Sequence, residues 1–263
     1  MRHLKWKKLY MTKNECFQRG KFFSPAGVMI HSTGANNPRL SRYVQPDDGQ
    51  LGKNPYENHF NTPRPGGRKV CPHAIIGQLS DGSIAAYQLL PWEMAGWHAG
   101  GGANNTHIGI EICEDDLTDK TYFQSVYTLA VELTAHLCRE FDLNPLADGV
   151  VICHSEGHAR GAASNHADVM HWFPRHGKSM DDFRADVART MTQEDTMTQE
   201  QFDSMMENWL ARQEQKKPTE SWMIDGVERA KAAGISDGSR PLGLCTRAEA
   251  MMMAAAATKC EVK

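Results

Sequence analysis

The apolar residues of this chain fall into short runs and one long periodic stripe. Val28-Met29-Ile30-His31 reads as a buried strand that stops in a turn at Ser32-Thr33-Gly34. His73 to Leu79 and Ser83 to Gln88 flank Ser80-Asp81-Gly82, which predicts a β-hairpin with Asp-Gly at its tip. Ile108-Gly109-Ile110-Glu111-Ile112-Cys113 is a further buried strand, and Val150-Val151-Ile152 leads another one into His154. Between these two, Phe123, Val126, Ala130, Leu133 and Leu137 recur at helical spacing and predict a core-facing helix over 122–141. Asn144-Pro145 breaks the chain after that helix.

Polar stretches punctuate the rest. Residues 35–70 are rich in Asn, Pro and Gly and predict a long ordered loop, of the kind that forms lids and binding walls. A second loop, 91–102, carries Trp97 and His98. Ser179 with Asp182 forms a capping-box pattern that opens a helix through about Arg189. Met191 to Gln199 is polar. Thr198 with Gln201 then starts an exposed helix with Phe202, Met205, Met206, Trp209 and Leu210 on one face, and Lys216-Lys217-Pro218 breaks it. A helix from Ser221 to Ala233 stops at Gly234, a turn follows at Asp237 to Pro241, and Thr246 with Glu249 opens a last helix. The expected fold is α/β: a mixed central β-sheet flanked by helices fills about 20–190, with a small helical C-terminal module. The expected division is a body at 1–192, a helical linker at 193–218 and the module at 219–263.

Composition narrows the function classes. With 263 residues, 40% hydrophobic and 23% charged, the chain is ordinary globular material. A net charge of -3 gives no electrostatic pull towards nucleic acid or anionic membrane. No run reaches the roughly 18 apolar residues that a membrane span needs. The basic N-terminus is not followed by an apolar core of signal-peptide length, so synthesis in the cytoplasm is expected. The 7 cysteines are scattered and never spaced as CxxC, which favours reduced, buried thiols over a disulfide scaffold or zinc ribbon.

Histidine is frequent, at 12. The stretch His154 to Asp168, HSEGHARGAASNHAD, gathers His154, Glu156, His158, His166 and Asp168, with His171 just beyond. It is either a metal site at a sheet edge or a histidine-rich surface loop. His31 is either a satisfied core residue or a ligand at a strand end. Glu111 inside an apolar strand is costly unless paired, ligating or catalytic. Glu114, Asp115 and Asp116 read as a solvated turn and helix N-terminus. A catalytic zinc site needs three N, S or O ligands and an open position, with a carboxylate to move protons and a donor for the oxyanion. The chain holds residues able to fill each role.

Four pieces, taken in order, resemble a family: Gly27-Val-Met-Ile-His31-Ser-Thr; the hairpin from His73 with Asp81-Gly82; Trp97-His98 followed by Asn105-Thr106-His107-Ile108-Gly109-Ile110-Glu111; and the strand ending at His154. Over about 20–190 the chain resembles the zinc-dependent N-acetylmuramoyl-L-alanine amidases of the type-2 amidase, or peptidoglycan-recognition-protein, family, in particular phage and prophage lysins. The resemblance implies one zinc ion held by His31, His154 and Asp168, with His158, Glu156 and His171 as rivals for the third position. It implies Glu111 as general base. Many members carry a Lys two residues before the third ligand, where this chain has His166, which would serve the oxyanion. Some carry a Tyr just before the hairpin histidine, where this chain has Pro72. His73 reads as structural or supporting, while Trp97, His98 and Asn105 are expected to line the substrate groove.

The implied activity is hydrolysis of the amide between N-acetylmuramic acid and L-alanine in peptidoglycan, as an endolysin or autolysin that reaches the wall through lysis or a holin-type pore. The tail would bind cell wall or mediate self-association into a homo-oligomer. Two alternatives stay open: a non-catalytic peptidoglycan-binding protein of the same fold, and a cytoplasmic amidase recycling muropeptides.

Overall fold

The computed structural model describes residues 6–56, 58–192, 199–214, 220–239 and 250–255. The Thr198 cap, the Lys216 to Pro218 break, the Arg240-Pro241 end of the turn and the helix start at Thr246 and Glu249 lie outside them. The chain divides into two compact units, residues 2–194 and 195–263.

The larger unit is built on one six-stranded sheet of β1 (Trp6–Lys8), β2 (Gly27–Asn36), β3 (Ala74–Gln78), β4 (Ile84–Gln88), β5 (His107–Glu114) and β6 (Val151–Cys153). Its order is β1-β4-β3-β5-β2-β6. Only the β3–β4 hairpin is antiparallel, so the sheet is mixed, as expected. The helices are α1 (Glu15–Arg19), α2 (Lys120–Glu140), α3 (His154–Ala159) and α4 (Met180–Thr192); α5 (Gln199–Glu214) and α6 (Ser221–Ala232) belong to the smaller unit.

Side chains alternate across a strand, so each strand feeds two layers. Val28, Ile30, Ala74, Ile76, Ile108, Ile110 and Ile112 face α2 and α4 in the main core. The predicted stripe on α2 lies in that core in full, joined by Tyr127. Asp119 caps α2 by accepting from the backbone N–H of Thr121 and Tyr122, at 2.8 and 3.0 Å. Ser179 and Asp182 cap α4 reciprocally, at 2.9 and 3.1 Å. The other sheet face carries a second core in which Leu40, Val44, Leu51 and Phe60 of the 35–70 loop pack on Ile75, Tyr87 and Leu89. Asn14 ties that loop down by donating to the carbonyls of Phe60 and Val70, at 2.8 and 3.1 Å. The loop is therefore ordered by burial and side-chain hydrogen bonds rather than by helix or strand.

Three expectations need correction. β2 does not stop at Ser32-Thr33-Gly34. It runs to Asn36, because β5 continues beside it to Glu114, with a register shift between Ser32 and Asn36. His31 is thus inside a strand rather than at its end. Glu114 is not solvated: it is 3% exposed, accepts from the Gly34 N–H at 3.1 Å, and faces His171 Nε2 at 3.1 Å. The sheet also begins earlier than residue 20, since β1 extends its edge by pairing with β4.

In the smaller unit α5 exposes Phe202, Met205 and Trp209, as the pattern predicts. α6 ends at Ala232, followed by Gly234 in the left-handed region. No helix among the described residues is long and apolar enough to cross a membrane.

Candidate metal and catalytic site

The sheet places the candidate residues by parity and register. If Val28 and Ile30 point at α2, then Met29 and His31 point the other way; on β5 the same rule turns Gly109 and Glu111 to that second face. Parallel pairing sets Met29 beside Gly109 and His31 beside Glu111. On its other flank Glu111 pairs with Ile75. A histidine and a carboxylate on neighbouring strands therefore share one patch.

β6 delivers the second histidine. It pairs with β2, and the chain turns directly into α3 at His154, so a short helix stands where the sequence predicts a small-residue loop. Glu156 fixes that helix by accepting from the Cys153 N–H at 2.9 Å and pairing with Arg184 at 3.1 Å. Asp168 arrives from the following loop with φ of 44°, a left-handed conformation that Asp tolerates better than most residues. Val169, Trp172 and Phe173 anchor it from behind in the main core, where the Trp172 and Phe123 rings meet edge to face at 5.4 Å.

Three donor atoms converge there. His31 Nδ1 and His154 Nδ1 each lie 2.9 Å from Asp168 Oδ2, and 3.1 Å from one another. His31 is 2% and His154 4% exposed. Two nitrogens and one carboxylate oxygen are the donor set of a catalytic zinc site; tetrahedral ligands about 2.0 Å from zinc stand about 3.3 Å apart, so the cluster fits with a few tenths of an ångström of spreading. Among the described residues this is the group of His, Cys, Asp or Glu whose ligand atoms lie close enough to share an ion. The rivals sit elsewhere: Glu156 is held by Arg184, His171 by Glu114, and exposed His158 faces the Ala163 carbonyl at 3.2 Å.

The electrostatics separate the two carboxylates. Burial would raise Asp168, but hydrogen bonds from His154 and His31 and their charge hold it well below the usual carboxylate range. Burial pushes Glu111 up to about 8, helped by the negative charges of Asp168 and Glu114. Burial also lowers His31, against the opposing pull of Asp168. Carboxyl groups driven apart in this way are suited to different roles.

The remaining sequence candidates are distributed around this centre. His166 is exposed at its rim, its ring 4.7 Å from that of His154 and its Nδ1 3.0 Å from Ser164 Oγ. His98 lies against His31, with Nδ1 2.9 Å from His31 Nε2 and Nε2 3.1 Å from the His107 carbonyl. Burial, then the neighbouring His31 and His73 rings, keep His98 neutral by lowering its pKa well below the ordinary value. Trp97 packs at the second core with Arg19 and Lys69 each 5.5 Å from its ring. Asn105 is exposed and accepts from Lys21 Nζ at 2.7 Å. His73 is structural: Nδ1 accepts from the Gly109 N–H at 2.9 Å, and Nε2 donates to the Met94 carbonyl at 2.7 Å. Two residues of the site carry no sequence signal. Ser164 Oγ lies 3.1 Å from His154 Nε2, and Asn104 Oδ1 accepts from the N–H groups of His98 and Ala99 at 2.9 and 2.8 Å. No periodicity marks either one.

Gly109 is required here for space. A Cβ at this position would overlap the His98 ring. Gly109→Ala is expected to cost about 1–3 kcal/mol through overpacking, read as a lowered Tm, and to displace His98 from His31. An unchanged Tm would show that the ring can move aside freely.

The profile of the N-acetylmuramoyl-L-alanine amidase family Amidase_2 matches residues 21–174. No curated protein matches the chain. Among solved structures, the Staphylococcus aureus hydrolase AmiA in complex with its ligand is similar with a TM-score of 0.52 at 17% identity, over 71% of this chain and 83% of that one. The PlyG catalytic domain is similar with a TM-score of 0.50 at 17% identity, over 73% of this chain and 99% of that one. At that identity the likeness is one of fold.

Proposed function

The chain belongs to the N-acetylmuramoyl-L-alanine amidase family and is an enzyme that hydrolyses an amide bond of peptidoglycan, and we propose that it works as a zinc hydrolase through His31, His154, Asp168 and Glu111. The bond is the one between N-acetylmuramic acid and L-alanine. The observation that carries the proposal is the convergence of three donor atoms within 3.1 Å of one another, one of them on His31, whose strand position pairs with Glu111.

His31 Nδ1, His154 Nδ1 and Asp168 Oδ2 would hold the ion. Zinc bound there supplies polarisation of the scissile carbonyl and acidification of water. Asp168, kept ionised by its two histidines, contributes the negative charge that favours a dication. Glu111 takes the proton of the attacking water and passes it to the leaving amine. Burial raises this carboxyl above the ordinary carboxylate range, which suits it to hold the proton on its way to the amine. His166, on the rim beside His154, donates to the oxygen that gains charge. The 35–70 loop and the Trp97 to Asn105 segment wall the groove for the glycan and stem peptide.

Residues 1–192 form the catalytic domain in this reading, 193–218 the linker, and 219–263 a module that binds wall or pairs with a second copy. The chain acts as an endolysin or autolysin that reaches the wall after lysis or through a pore. Deleting 195–263 should leave hydrolysis intact and reduce co-sedimentation with sacculi; equal sedimentation would remove the module's role in wall binding.

The test of the central reading uses the purified full chain. Bound zinc is measured directly, and release of new L-alanine N-termini from sacculi is followed. A chelator should stop the release and added zinc restore it. Release that persists without metal would overturn the zinc mechanism, and sacculi left intact by the zinc-loaded chain would overturn the activity at this site.

A further inference from the structure

We infer that His98 is a positioning residue that sets the tautomer of His31 and so aims its Nδ1 lone pair at the metal site. The inference rests on the zinc reading above and goes beyond it, because it moves His98 from the expected groove wall to the support of a ligand.

A backbone carbonyl can only accept a hydrogen bond. His98 Nε2 lies 3.1 Å from the His107 oxygen, so Nε2 carries the proton. In the neutral ring Nδ1 is then bare. That bare nitrogen faces His31 Nε2 at 2.9 Å, so His31 Nε2 donates and carries its own proton. With Nε2 protonated, a His31 that binds zinc would do so through the lone pair of Nδ1. That is the atom 2.9 Å from Asp168 Oδ2 and 3.1 Å from His154 Nδ1. One carbonyl thus dictates, through two imidazoles, which nitrogen of His31 can ligate. Ligating histidines generally give their other N–H to an oriented acceptor, and loss of that acceptor weakens metal binding. Here the acceptor is another imidazole, itself fixed by main chain.

The surroundings hold His98 to this one task. Asn104 fixes its backbone N–H, the absent Cβ of Gly109 makes room for its ring, and both ring nitrogens are engaged inside the protein. His154 is supported from the same segment. Its Nε2 lies 3.1 Å from Ser164 Oγ, which lies 3.2 Å from the Ala99 carbonyl. The serine O–H donates to that carbonyl and a lone pair accepts from His154 Nε2–H. The two histidine ligands are therefore both oriented by main-chain oxygens of the 99–107 stretch, each through one intermediary side chain.

The first test needs no substitution. Imidazole ¹⁵N shifts of the wild-type protein should show His98 protonated on Nε2 with and without zinc, and His31 protonated on Nε2 with zinc bound. Protonation of His98 on Nδ1 overturns the inference, whether or not zinc binds. The second test compares zinc affinity by chelator competition, and the visible spectrum of the Co²⁺-substituted protein, in wild type, His98→Ala and His98→Gln. His98→Ala should bind zinc about 10–100-fold more weakly and shift the Co²⁺ spectrum. The glutamine amide can accept from His31 and donate to the His107 carbonyl, so His98→Gln should return most of the affinity and the wild-type spectrum. Wild-type affinity in His98→Ala, or a glutamine variant no better than alanine, overturns the inference. If wild type itself bound no zinc, the zinc reading would fail while the ¹⁵N result still decided the role of His98.

Discussion

His154→Ala is expected to lose both zinc and hydrolysis, with the rate of L-alanine N-terminus release falling by about 10³-fold or more. The size comes from what the side chain does. It supplies one of three donor atoms, and it is 4% exposed. Removing it leaves His31 and Asp168 as a two-donor set, one short of what a catalytic zinc site uses. An ion that contributes several kcal/mol of charge stabilisation is then lost or badly placed, and each 1.36 kcal/mol is a factor of about ten. The loss should not come from unfolding. α3, which His154 opens, is fixed by Glu156, Arg184 and the Cys153 N–H rather than by the imidazole. The check is zinc content, release rate and Tm on one preparation, beside His158→Ala, whose side chain lies exposed four residues along the same helix and should leave all three unchanged. Full activity in His154→Ala would remove it from the metal site.

The elements that can be read from the sequence each keep one period. β5 alternates, α2 repeats every three to four residues, and the hairpin carries Asp-Gly at its tip. β1 is invisible to such patterns because Trp6 to Lys8 is a three-residue edge strand in a basic stretch with no alternation. The true end of β2 is hidden because Ser32-Thr33-Gly34 has the local chemistry of a turn, and tertiary pairing with β5 overrides it. Glu114 misleads for a related reason: two aspartates follow it, but the carboxylate itself is satisfied inside by Gly34 and His171. At the site, strand parity alone says that His31 and Glu111 each oppose the apolar core face. It does not say that they are neighbours, because the register of β2 against β5 joins positions far apart in the chain. The role of His98 is the least legible. It depends on a ring nitrogen of the 91–102 loop meeting the ring of a strand residue, which no spacing encodes.

Glu111→Gln should separate chemistry from metal binding. The amide preserves the shape of the side chain and removes the proton-carrying oxygen. Activity is expected to fall about 10²–10⁴-fold, the span typical of a lost general base, while zinc content stays at the wild-type level. The metal-free protein offers a second reading. Folded Glu111 titrates at about 8, above its ordinary value of 4.5, because burial and the charges of Asp168 and Glu114 disfavour the carboxylate. Between those two values the folded state keeps a proton that the unfolded chain has released. Stability from this group is therefore complete below about pH 4.5 and is lost as pH rises through about 8. Glutamine has no proton to lose. The variant and wild type should match in stability near pH 4.5, and the variant should be the more stable by up to a few kcal/mol near pH 8. Denaturant unfolding at the two pH values, in the presence of a chelator, reads this directly. A pH dependence identical in both proteins would mean that Glu111 is ionised in the fold, and loss of zinc on substitution would place the carboxylate among the ligands rather than beside them.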